Sequence, residues 1–260
     1  MSTATSTTRH PHPAPVGERL RSVDGCRRPA RCAMSGAGRY LPRVVRAGAD
    51  LVVPLTCGGC DRPGTRWCAR CAARLADDPL ECRPRLAPAA PVWALGRYRG
   101  SHRAAILALK EHGRRDLASP LGDALSHGIR TLARWGELPD APHLHLVPAP
   151  TRTLTARRRG GDPVTAIATR SADVLGRRVS VAPMLYTAGA ARDSAGLDAR
   201  DRARNLRGAI RLRPDRSLVD GSVVVLVDDV LTTGATVAES VRVLATAGVG
   251  VSAVLVIAAA

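Results

Sequence analysis

Two carboxylates and three threonines fall within nine residues of one another, from Asp228 to Thr236, in the stretch VVVLVDDVLTTGATV that runs from Val223 to Val237. The side chains of Asp228 and Asp229 can accept hydrogen bonds from a sugar diol or hold Mg²⁺ through water. Thr232, Thr233, Gly234, Ala235 and Thr236 follow with hydroxyls, backbone N–H groups and a glycine free to take positive φ. Val237, Val241, Leu244 and Ala245 then recur at helical spacing, and Gly248 is placed to stop that helix. The hydroxyl-rich turn therefore sits at a helix N-terminus, where unpaired N–H donors and the positive end of the helix dipole suit a phosphate. A ligand carrying both a phosphate and a diol, such as a ribose 5-phosphate, satisfies the whole stretch. The chain has no GxxxxGK[ST] sequence and no GxGxxG after a strand, so neither a P-loop nor a dinucleotide fingerprint competes.

These groups need elements to hold them. Val223 to Val227 are apolar without alternation, as expected for a strand buried on both faces in the centre of a parallel sheet, with the two acids where that strand must end. A second short strand ends near Val147 and leads into a loop through Pro148, Ala149, Pro150, Thr151 and Arg152. Loops beyond the C-terminal ends of parallel strands converge on one ligand site. Asp162 and Pro163 form an N-cap and first turn for a helix through Ile167, Ala168 and Leu175. Val179 to Leu185 reads as the next strand, followed by a mobile loop of small and polar residues and a return to the sheet near Ile210. His143 and His145 share one strand face, whereas His102, His112 and His127 read as surface residues.

A second kind of chemistry lies nearer the N-terminus. Cys57 and Cys60 form one CxxC and Cys68 and Cys71 another, joined by a short connector with Gly58-Gly59 and Pro63-Gly64 turns. This spacing predicts two knuckles closing a tetrahedral Zn²⁺, against the alternative of reduced thiols or a redox pair. Four thiolates leave no open position, so such a zinc is structural. Cys82 stands alone as a free thiol, and Cys26 and Cys32 read as unliganded.

The formal net charge is +17 and comes almost wholly from arginine, Lys110 being the single lysine. That balance permits an anionic partner, but arginine, alanine, glycine and proline enrichment also matches the coding bias of a GC-rich genome. Lys110 is either a point charge for a phosphate oxygen or a solvated helical side chain. No apolar run is long enough for a membrane span, and the N-terminus has no secretory pattern. With seven cysteines, this predicts a reducing, cytoplasmic setting. The expected organisation is a disordered basic extension over 1–48 with Met34 as an alternative start, a zinc ribbon over 49–78, a Pro-rich linker over 79–91 and an α/β domain over 92–260.

The stretch from Val223 to Val237 resembles the phosphoribosyl pyrophosphate (PRPP) motif of type I phosphoribosyltransferases: an apolar strand, two acids and TTGxT. A CxxC doublet, the Tyr98-Arg99-Gly100 strand, the Leu109-Lys110 helix and that motif, in this order, are similar to the ComF family of bacterial phosphoribosyltransferase-like proteins. The resemblance spans about Leu51 to Ala260. It implies a type I phosphoribosyltransferase fold behind a zinc ribbon, and a Mg²⁺-dependent transferase of the glycosyltransferase class. It assigns Asp228 and Asp229 to the ribose hydroxyls, Thr232 to Thr236 to the 5-phosphate, and Ala149, Thr151 and Arg152 to pyrophosphate. Leu197, Arg202, Asn205 and Leu206 match a family pattern and fit a charged surface helix equally well; Ser194 and Gly160 to Asp162 depart from the family's residues. Arg157 to Arg159 either extend the anion surface or form a solvated face. The resemblance also implies an alternative function in DNA uptake, with single-stranded DNA and the competence machinery as partners. Scarce aromatic residues would make that binding mainly ionic.

Overall fold

The computed structural model describes residues 55–151, 161–188, 208–214 and 218–260, all within the unit Val44–Ala260. The expected basic extension, Cys26, Cys32, Arg152, the Arg157 to Arg159 run and the loop carrying Leu197, Arg202, Asn205 and Leu206 lie outside the described residues.

In chain order the elements are α1 (Ala69–Leu75), β1 (Leu80–Cys82), β2 (Val92–Ala94), α2 (Gly100–Glu111) and α3 (Ala118–Arg134). There follow β3 (Leu144–Pro148), α4 (Pro163–Leu175), β4 (Val179–Val181), β5 (Leu185–Thr187), β6 (Ile210–Leu212), β7 (Val223–Leu231), α5 (Ala235–Thr246) and β8 (Ala253–Ala259). Six strands form one sheet in the order β1-β2-β8-β7-β3-β4. All neighbours are parallel except β1 and β2, which pair antiparallel. The result is the α/β, mostly parallel architecture anticipated from the apolar runs.

β7 is central because its side chains face a core on both sides. Val223, Val225 and Val227 join Leu109, Leu121, Leu125 and Ile167 from α2, α3 and α4. Val224 and Leu226 join Val237, Val241 and Leu244 of α5, together with Met184 and Ile210. Successive residues of a strand point to opposite faces, so an uninterrupted apolar run is what two covered faces require.

α3 was not foreseen in the sequence, although its pattern accounts for it. Leu121, Leu125, Ile129 and Leu132 recur at helical spacing and are buried. Each such leucine contributes about 1.5–3 kcal/mol of transfer free energy. Gly122 lets α3 approach α4 closely, since a Cβ there would lie 2.8 Å from the Ile167 carbonyl oxygen.

Three expectations are corrected. The Val179 to Leu185 stretch is two strands, β4 on the main sheet and β5 outside it, because the chain turns at Ala182, where Met184 N–H donates to its carbonyl. Ile210 does not re-enter the main sheet; β6 pairs antiparallel with β5 in a separate two-stranded ribbon that covers the α5 side. The Pro-rich segment expected to be a plain linker contains β1, whose Leu80, Glu81 and Cys82 pair with Ala94, Trp93 and Val92. Edge strands tolerate nearby prolines because one side of the ladder is unpaired.

Candidate functional site

β3 ends beside the residue that precedes the acids of β7, since the register runs from Leu144 opposite Val223 to Pro148 opposite Val227. β7 does not stop at the acids: Asp228, Val230 and Leu231 still pair with Val256, Ala258 and Ala259 of β8. Strand alternation separates the two carboxylates. Asp229 turns to the α2 face, where its Oδ2 lies 2.6 Å from Lys110 Nζ. It is buried at 7% exposure. Asp228 is only half-buried, and its Oδ1 accepts the Asp229 backbone N–H at 2.8 Å. Beyond the acids the alternation shifts by one residue, with Val230 against the α2–α4 core and Leu231 against the α5 core.

Burial pushes the Asp228 carboxyl up to about 7, and the neighbouring Asp229 charge adds to the effect while Lys110 opposes it. Asp162 contributes in the same direction as Asp229, which places three carboxylates in one electrostatic neighbourhood with Lys110. The sequence marked Asp162 only as a helix cap. It does accept the Val164 and Thr165 N–H groups as the N-cap of α4. It also accepts the Thr151 hydroxyl at 2.6 Å, so it ties the β3 loop to the start of α4.

The turn after β7 has the form that its residues suggest. Gly234 is the N-cap of α5 with φ 87° and ψ 1°, a left-handed conformation that glycine takes without strain. Thr232 is exposed, and Thr233 and Thr236 are half-buried. Thr233 Oγ1 lies 3.4 Å from the Ala235 N–H. The N–H groups of Thr236 and Val237, in the first turn, have no acceptor within the helix. One side of this bend is covered: the Leu86 N–H donates to the Thr233 carbonyl at 3.0 Å, and Pro84 and the Leu86 carbonyl lie against Gly234.

Among the remaining predicted site residues, Ala149 lies fully inside the sheet and its N–H donates to the Val227 carbonyl at 2.8 Å. That donor is engaged in the β3–β7 ladder. Thr151 follows at the sheet edge, with its hydroxyl on Asp162.

The cysteines assemble as their spacing predicts. The Sγ atoms of Cys57, Cys60, Cys68 and Cys71 all lie within 4.8 Å of one another, and Cys60 Sγ is 3.6 Å from Cys68 Sγ. Four thiolates about 2.3 Å from a tetrahedral zinc stand about 3.8 Å apart, so this donor set fits a structural Zn²⁺. Hydrogen bonds, the Cys71 backbone foremost, hold the Cys68 thiol down to about 6, the sense that favours a thiolate ligand. Gly59 allows the knuckle to close, because a Cβ there would be 2.8 Å from Cys71 Sγ. Arg114 fastens the cluster to the helices: it donates to the Thr56 and Arg66 carbonyls and pairs with Asp116 at 2.8 Å. Cys82 is half-buried and outside the cluster, and burial pushes its thiol up.

The histidines divide differently from expectation. His102 is buried, not on the surface, with its ring against Gly96. His143 and His145 do share a face, with ring centroids 4.7 Å apart. Val219 N–H donates to His145 Nε2 at 3.1 Å, so the ring proton sits on Nδ1 and faces Ser180 Oγ at 2.9 Å; Ser180 then donates to His143 Nε2. This chain joins β3, β4 and the segment before β7 at the sheet end opposite the acids.

Among the described residues no helix is long and apolar enough to cross a membrane. No curated protein matches the chain. Residues 156–260, which carry β7, both acids and the threonine turn, match the family model described as a phosphoribosyl transferase domain, so the chain carries a phosphoribosyltransferase-like domain with a four-cysteine cluster on its N-terminal side.

Proposed function

We propose that the α/β domain binds PRPP and transfers its phosphoribosyl group to an acceptor with release of pyrophosphate, and that the chain belongs to the ComF family. The observation that carries this reading is the left-handed Gly234 turn at the start of α5, a few residues beyond two acids in the C-terminal part of a central parallel strand. The 5-phosphate takes the Thr232 to Thr236 turn, where the Thr236 and Val237 N–H groups and the helix dipole favour an anion. Asp228, the less buried acid, accepts the ribose hydroxyls. Asp229 is already matched by Lys110 and holds that lysine beside the reacting sugar. The pyrophosphate is assigned to the Thr151-Arg152 loop.

Mg²⁺ would be held by Asp228, and when bound it would supply charge neutralisation of the leaving group. An acceptor nucleophile attacks the anomeric carbon as the bond to the pyrophosphate oxygen breaks, and the electron pair leaves with pyrophosphate. The chain's part is electrostatic: it orients the ring and offers fixed donors to the departing anion, so no protein nucleophile is required.

The test is Mg²⁺-dependent PRPP binding by calorimetry in the wild type and in Asp228→Ala. Binding is expected in the former and lost in the latter, with unchanged circular dichroism. Undiminished binding in a folded Asp228→Ala protein means that the site is assigned to the wrong residues.

A further inference from the structure

The segment between β1 and β2 does more than connect them. From Cys82 to Pro88 its residues alternate, with Cys82, Pro84, Leu86 and Pro88 half-buried and Arg83, Arg85 and Ala87 exposed. Pro84 and Leu86 of this inward set lie on the turn after β7. Leu86 N–H donates to the Thr233 carbonyl at 3.0 Å. On the same side, a Cβ built on Gly234 would stand 2.7 Å from Pro84 Cβ and would collide with the Leu86 carbonyl oxygen. Gly234 is therefore glycine for two separate reasons, its positive φ and the backbone that crosses it.

We infer that Pro84–Leu86 is a positioning element of the phosphate turn, holding the Thr233 carbonyl so that the Thr233 hydroxyl and the first N–H groups of α5 stay aimed at the ligand. This rests on the phosphate assignment made above and goes beyond it, because it brings into the site a segment more than 140 residues away in the chain, outside the matched residues 156–260. The physical case is one of pre-organisation. A peptide plane between Thr233 and Gly234 that was free to rotate would have to be ordered by each incoming phosphate, and ordering one residue's backbone costs about 1–2 kcal/mol. A hydrogen bond from a proline-stiffened segment meets that cost during folding.

Leu86→Pro removes the N–H, and Leu86→Ala is the conservative variant that keeps it. Calorimetric titration with PRPP and Mg²⁺ is expected to show affinity at least five-fold weaker in Leu86→Pro, with Leu86→Ala close to wild type. Amide exchange over Thr233 to Val237 is expected to quicken in Leu86→Pro alone. If Leu86→Pro does not fold, Pro84→Gly, which removes the ring beside Gly234, is expected to shift both readouts in the same direction. Wild-type affinity with unchanged exchange overturns the inference, and so does tighter binding, which would make the segment a plug. If the wild type binds no PRPP, the functional reading fails by itself and the exchange measurement still decides this one.

Discussion

Replacing Lys110 with methionine removes the cation that meets Asp229 among the described residues. The pair is close, 2.6 Å, and its carboxylate side chain is only 9% exposed, while the lysine keeps 26% of its surface. Breaking a buried pair by deleting one partner costs about 3–5 kcal/mol, because the remaining charge is left without compensation. Partial exposure of Lys110 puts the expected loss near the lower end, about 3 kcal/mol, a fall in Tm of about 6–12 °C for a domain of this size. Thermal unfolding at pH 7.5 measures it, and Asp229→Asn combined with Lys110→Met should recover most of the loss. The same lysine holds down the Asp228 carboxyl. PRPP binding that needs an ionised Asp228 rises with pH through about 7 in the wild type and through a higher pH in Lys110→Met. A loss below about 0.5 kcal/mol, typical of a solvated surface contact, would refute the reasoning.

The four-thiol cluster should bind one Zn²⁺ per chain, and Cys60→Ser or prolonged chelation should release it and lower Tm while leaving the far-UV signature of the α/β domain largely intact; full stability after metal removal would show that the cluster holds nothing structural. His145 is held below its ordinary range, first by burial and then by His143. The unfolded chain thus takes up a proton at higher pH than the folded one, so stability is fully present above about 6.5 and is lost as pH falls below it. His145→Gln should flatten the decline in Tm between pH 7.5 and 5.5, and an identical decline in the variant would count against the His143–Ser180–His145 chain as its source.

Local chemistry made several features readable before any fold was known. The uninterrupted apolar run of β7, the Asp162-Pro163 cap of α4, the cysteine pairs and the Gly234 turn each depend on neighbours within a few residues, and short-range sterics and hydrogen bonding decide them. The division of Val179 to Leu185 into two strands was not readable, because a β-rich run carries no mark of where its pairing partner changes.

Composition and spacing determined that this chain has a parallel α/β core, a four-thiol knuckle and a threonine-rich glycine turn shortly after two acids. Only the tertiary structure decided that those acids part company, Asp229 to Lys110 and Asp228 to the Asp229 backbone N–H, and that Pro84–Leu86 lies across Gly234. The reason is one of range: a strand's alternation is written in the sequence, but what waits on each face is set by segments folded in from elsewhere in the chain.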